Sequence, residues 1–134
     1  MFPFISQEFF YSDLLKFIIR KKNKMTKLKE NWSNDQIKAV WNKGIIVSGY
    51  DSTKYRKDIA GAWMIYSLYG KTESDYGWEI DHIRPKSMMG SDFISNLQPL
   101  QWQNNRSKGD NYPSFETVVS SSGNKNILQQ KRWY

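Results

Sequence analysis

The chain has 134 residues, 39% hydrophobic and 25% charged, with six Trp and eight Tyr, which suits one globular domain with some decoration at its ends. It contains no cysteine, so disulfide staples and thiolate zinc sites are excluded, and the absence agrees with a cytoplasmic location. The net charge of +7 favours a polyanionic partner, nucleic acid ahead of anionic lipid, although a solvated lysine-rich surface would give the same count.

The surplus lies in the flanks. Residues 1–31 carry seven Lys/Arg against three Asp/Glu, residues 32–113 carry ten against nine, and residues 114–134 carry three against one. The opening "MFPFISQEFFYSDLLKFIIRKKNK" does not read as a secretory signal, because Glu8, Asp13 and Lys16 interrupt the apolar run and the cations follow it. It is also far short of a membrane span. Ser12 can cap a helix that puts Leu14, Leu15, Ile18 and Ile19 on one face. Two readings of this basic extension stay open: an amphipathic docking helix, or a stretch upstream of a native start at Met25.

No internal repeat is present. "WSNDQIKAVWNKG" predicts a helix capped by Ser33, with Gln36 completing a capping box and Gly44 at the stop. "GYDSTKYRKD" reads as a polar loop. "AWMIYSLYG" and "GWEIDHI" read as strands paired with each other across "KTESDY". "KSMMGSD" is a loop, "NLQPLQW" an edge strand because Pro99 cannot donate to a central ladder, and "QNNRSKGDN" a short helix ending at Gly109. The tail after Pro113, "SSSGNKN" above all, is expected to be flexible and basic. The order helix, strand, strand, loop, strand, short helix makes the fold class α+β, with residues 32–113 as the working domain.

The only histidine, His82, lies inside this pattern, directly after Asp81. Phosphodiester hydrolysis needs a base for water, positive charge at the phosphorane and leaving oxygen, and donors to hold the phosphate. An imidazole suits the base role, and Asp81 with the amide oxygen of Asn105 offers hard donors for Mg²⁺ or Mn²⁺ rather than zinc. If 78–83 pairs with 97–100, the helix carrying Asn105 folds back beside Asp81. Asn96, at the loop-to-strand junction, can tie the loop by bonding backbone groups, and Arg84, Lys86, Arg106 and Lys108 surround the place as candidate phosphate contacts. Neighbouring strand residues point to opposite faces, so Asp81 and His82 can serve one phosphate only where the strand twists, bulges or ends.

"GWEIDHIRPKSMMGSDFISNLQPLQWQNNRSKGD" resembles the HNH endonuclease motif in its His-Asn-Asn form, and "VWNKGIIVSGYDSTKYRKDIAGAWMIYSLYG" more loosely resembles the lead-in of small bacterial and phage HNH proteins. The resemblance implies a ββα-metal unit, here with an additional N-terminal helix and β-hairpin. It implies one divalent cation, Mg²⁺ or Mn²⁺, and a DNA phosphodiester as substrate. His82 is then similar to the general base, Asp81 and Asn105 to the metal ligands, and Asn96 to the residue that fixes the loop. Two departures stand out. The paired CxxC zinc knuckles of many relatives are absent, so aromatic strands must supply the bracing. The loop carries Met88-Met89-Gly90 where a Gly-Gly pair is more usual.

Taken singly, these residues have plainer readings: His82 as a structural histidine, Asp81 and Asp110 as capping or turn residues, Glu79 as a surface or structural carboxylate. Trp63, Trp78 and Trp102 read as core before they read as base-stacking platforms. Taken together, the spacing favours a nuclease-type site, and the resemblance implies a metal-dependent HNH endonuclease acting on DNA, expected as a monomer or homodimer with no membrane association. The competing reading is an HNH-like module that grips DNA without cutting; a lipid or protein anchor at the N-terminus is the third.

Overall fold

The computed structural model describes residues 30–134 and, outside that span, Lys16; the chain divides into two units, Met1–Asn31 and Trp32–Tyr134. The expectations for residues 1–29, both the docking helix and the upstream extension, lie outside the described residues apart from Lys16. Among the described residues no helix is long and apolar enough to cross a membrane.

In the second unit, helix α1 (Asn34–Trp41) begins as its sequence dictates: the Ser33 hydroxyl accepts from Gln36 N at 3.1 Å, and Ser33 N donates to Gln36 Oε1 at 2.9 Å. The far end is closed by an arginine from the segment read as a polar loop. Arg56 Nη1 donates to the carbonyls of Asn42 and Gly44 at 2.9 and 3.1 Å, satisfying backbone groups that a helix end leaves open. Arg56 sits in β1 (Tyr55–Lys57), which pairs antiparallel with β2 (Trp63–Ile65).

The hairpin expected between 62–69 and 76–83 does not form. Strand β2 stops at Ile65, a 3₁₀ turn covers Tyr66–Leu68, and the segment meets β3 (Trp78–His82) through one parallel bridge, Tyr69 to Trp78. A parallel ladder needs a longer crossover than residues 70–77 supply. Strand β3 pairs instead with β4 (Leu97–Gln101), antiparallel, with Trp78 opposite Gln101 and His82 opposite Leu97. Helix α2 (Trp102–Lys108) follows β4 with no intervening loop, capped by the Gln101 side chain, which accepts from Gln103 N and Asn104 N. The core lies between α1 and the β3–β4 pair: Val40, Trp41, Met64, Trp78, Ile80 and Leu97 are buried together, with the Trp41 and Trp78 rings 5.2 Å apart. Each aliphatic side chain there contributes roughly 1.5–3 kcal/mol of burial free energy. Trp63 is also buried, whereas Trp102 is half-buried.

The tail expected to be flexible is an ordered β-hairpin, β5 (Glu116–Ser122) and β6 (Lys125–Trp133), joined by the two-residue loop Gly123-Asn124. Gly123 has φ +58°, a value glycine adopts without steric cost and the first position of a tight type II′ hairpin turn requires. The hairpin is stitched to the domain by side chains. Asn126 Oδ1 accepts from Trp63 N at 2.6 Å while its Nδ2 donates to Trp63 O at 2.8 Å, and Trp63 Nε1 donates to Gly123 O at 2.7 Å. The polar composition that suggests disorder is therefore the composition that makes these bonds.

A buried polar hub holds hairpin, helix and loop together. Asp58, 1% exposed, accepts from Ala60 N and Ala62 N on one oxygen and from Gln101 N and Asn104 Nδ2 on the other. Burial pushes its carboxyl upward in pKa, and the four N–H donors oppose that. Asn104, fully buried, also accepts from Val118 N and Val119 N, both at 2.9 Å, where the β5–β6 register shifts.

Candidate active site

Because α2 folds straight back from β4, its inner face lies across β3. Asn105 Nδ2 donates to Glu79 Oε1 at 3.2 Å, and one turn on, Lys108 Nζ lies 3.2 Å from Asp81 Oδ2 and donates to His82 O at 2.9 Å. Glu79 and Asp81 are two apart on the strand and share its face, so the helix turn and the strand pleat are in step. All four residues are buried. Asp81 Oδ2 also accepts from Gln98 Nε2 at 3.0 Å across the ladder.

His82 leaves the strand on the opposite face, the side of Trp78 and Ile80. Its ring is 2% exposed, packed against Trp32 at 5.7 Å between centroids, and its Nε2 is 2.7 Å from Asp92 Oδ1. Lys86 Nζ approaches the same Asp92 oxygen at 3.4 Å. The hydrogen bond to His82, assisted by Lys86, holds the Asp92 carboxyl below the usual carboxylate range against a smaller opposing effect of burial. Strand β3 ends at His82, so the two side chains flank a strand terminus rather than the middle of a ladder.

Asn96 closes the loop between β3 and β4. Its Oδ1 accepts from Arg84 N at 2.9 Å, its Nδ2 donates to Arg84 O and Ser91 O at 3.1 and 2.7 Å, and its carbonyl accepts from Ile83 N at 2.8 Å. Inside the loop, a Cβ on Gly90 would fall 1.7 Å from Arg84 O, so only glycine fits there. Met89, the position before it, is left-handed at φ +65° and 89% exposed.

The expected phosphate contacts divide. Arg84, Lys86 and Arg106 are exposed, Arg106 lying over the Trp102 ring at 4.9 Å and Arg84 donating to Met88 O at 2.7 Å. Lys108 is 1% exposed and its ammonium faces Asp81, away from the exposed surface that carries the other three. Glu79, read as a surface or structural carboxylate, is buried in the site against Asn105. Sequence reasoning missed Asp92 and Asn104. The first had a faint signal, a carboxylate in a loop tied back to the histidine's strand; the second was hidden beside its neighbour in "NN".

Asn105 Oδ1 is buried and accepts no hydrogen bond, the condition of an oxygen available to a cation. With the Asp81 carboxylate on the facing strand it gives two hard oxygen donors, which fits a Mg²⁺-type ion that completes its shell with water and substrate phosphate. Among the described residues no group of three or more His, Asp or Glu gathers as a metal cage.

A family model described as HNH endonuclease matches residues 72–114, the span from the turn before β3 through α2. No curated protein and no solved structure matches the chain. Residues 72–114 are therefore similar to the HNH endonuclease family, in an α+β setting of helices and small antiparallel sheets, and that similarity points to a nuclease or DNA-binding role.

Proposed function

We propose that the domain is a divalent-metal-dependent endonuclease that hydrolyses DNA phosphodiester bonds, with His82 as general base and Asp81 and Asn105 holding the cation. The observation that carries the reading is the buried, unbonded Oδ1 of Asn105, on a helix packed over the strand of Asp81 and His82. The phosphate lies across the end of β3. There His82 takes a proton from water as the water oxygen bonds to phosphorus. The bond from phosphorus to the 3′ oxygen breaks, and that oxygen leaves as a hydroxyl with a proton from solvent. A bound Mg²⁺ or Mn²⁺ would supply the positive charge for the phosphorane and the leaving oxygen. Asn96 keeps the loop closed, and Arg84, Lys86 and Arg106 contact flanking phosphates.

The test is supercoiled plasmid incubated with Mg²⁺, Mn²⁺ or EDTA. Nicked circles that need metal are expected, and His82→Ala should lower the rate at least about 100-fold while DNA still binds. Metal-independent cutting, or full activity in His82→Ala, would refute the assignment. One observation favours a second reading, a module that grips DNA without cutting: the buried Lys108 ammonium already balances the charge of Asp81. A salt-sensitive DNA shift with no product in any metal would select it.

A further inference from the structure

We propose that Asp92 is the positioning carboxylate of His82, holding the ring through Nε2 so that Nδ1 carries the lone pair that meets the water. This rests on the nuclease reading above and names a residue that the motif does not. An ionised carboxylate can only accept, so across the 2.7 Å contact the imidazole must donate from Nε2. In the neutral ring the other nitrogen, Nδ1, is then the base. The negative charge also stabilises the imidazolium that forms when His82 takes the proton, the role of the third member in hydrolytic triads.

The surroundings distinguish this contact from a casual surface ion pair. The imidazole is 2% exposed, backed by Trp32, and its backbone is fixed in the β3–β4 ladder. Asp92 follows Ser91, whose carbonyl is held by Asn96 at 2.7 Å, and Gly90, whose N donates to Pro85 O at 2.9 Å. The loop that brings the carboxylate is thus anchored to the strand that carries the base. Asn96 acquires a consequence from this: by closing the loop it sets where Asp92 stands.

The single histidine makes the test direct, because a ¹⁵N-labelled full-length protein has one imidazole spin system. In the metal-free wild type, a slowly exchanging Nε2–H resonance with a non-protonated Nδ1 is expected. Asp92→Ala should lose that resonance to solvent exchange and lower kcat about 10- to 100-fold with DNA affinity unchanged. Asp92→Asn, which keeps an acceptor oxygen without the charge, should retain the resonance and recover part of kcat. Asp92 is exposed on a loop, so circular dichroism should show all three proteins equally folded. No protected Nε2–H in the wild type, or undiminished kcat in Asp92→Ala, would overturn the role of Asp92 and leave the nuclease standing. A wild type that cuts nothing in any metal, with the resonance present, would overturn the nuclease and the role together.

Discussion

The Lys108 ammonium lies 3.2 Å from the Asp81 carboxylate with both side chains buried, so a carboxylate expected to face a metal faces a fixed cation from the neighbouring helix. Removing that cation leaves a buried charge uncompensated, which costs about 3–5 kcal/mol. Lys108→Met should therefore lower stability by that amount in EDTA. Added Mn²⁺ should then stabilise the variant more than it stabilises the wild type, because the metal would take over the neutralisation. Thermal melts of both proteins, with and without Mn²⁺, measure it; equal metal-induced shifts would argue that Asp81 is no metal ligand.

Asn104 satisfies Asp58 and the backbone of Val118 and Val119 at once. Truncation takes the shared acceptor from the Val118 and Val119 N–H groups and one of four donors from Asp58, and a buried polar group left without its partner costs about 1–3 kcal/mol. Asn104→Ala should lose roughly 2–4 kcal/mol in urea denaturation. A loss below about 1 kcal/mol would mean water replaces the side chain freely.

Met89 occupies a left-handed conformation that costs an ordinary residue about 1–2 kcal/mol, while glycine there loses about 0.5–1 kcal/mol through its freer unfolded chain. Met89→Gly should thus stabilise the domain by up to about 1 kcal/mol. The same denaturation curve reads this, and destabilisation would show that the exposed Met89 side chain makes a contact worth more than the strain.

The Asp92 carboxyl titrates below its ordinary range in the folded state, so its contact with His82 contributes stability above the unfolded carboxyl pKa of about 3.9. That contribution disappears as the pH falls through the lower folded value. Wild type should lose more stability than Asp92→Asn as the pH falls below about 3.9, and parallel curves would deny the coupling.

What could be read from the residues was what depends on local spacing. Ser33 and Gln36 cap α1 as their separation requires, and Gly109 ends α2. What could not be read depends on distant partners. Arg56 looks like a loop cation until the carbonyls of Asn42 and Gly44 are folded beneath it. Lys108 looks like a surface phosphate contact because nothing nearby in the chain reveals that Asp81 waits across the helix. The hairpin was hidden by its polarity, although Gly123-Asn124 between "TVVSSS" and "KNILQQ" is a two-residue turn signal of the ordinary kind.

The hairpin also separates what is recognisable from what can be excised. The matched segment stops at residue 114, yet the amide of Asn104 inside it is completed by backbone at 118 and 119, and Trp63 before it is held by Asn126. A fragment cut to the motif would expose an open network where the domain has a closed one. Grafting this chemistry onto another scaffold therefore means copying side-chain positions, not transplanting a length of polypeptide.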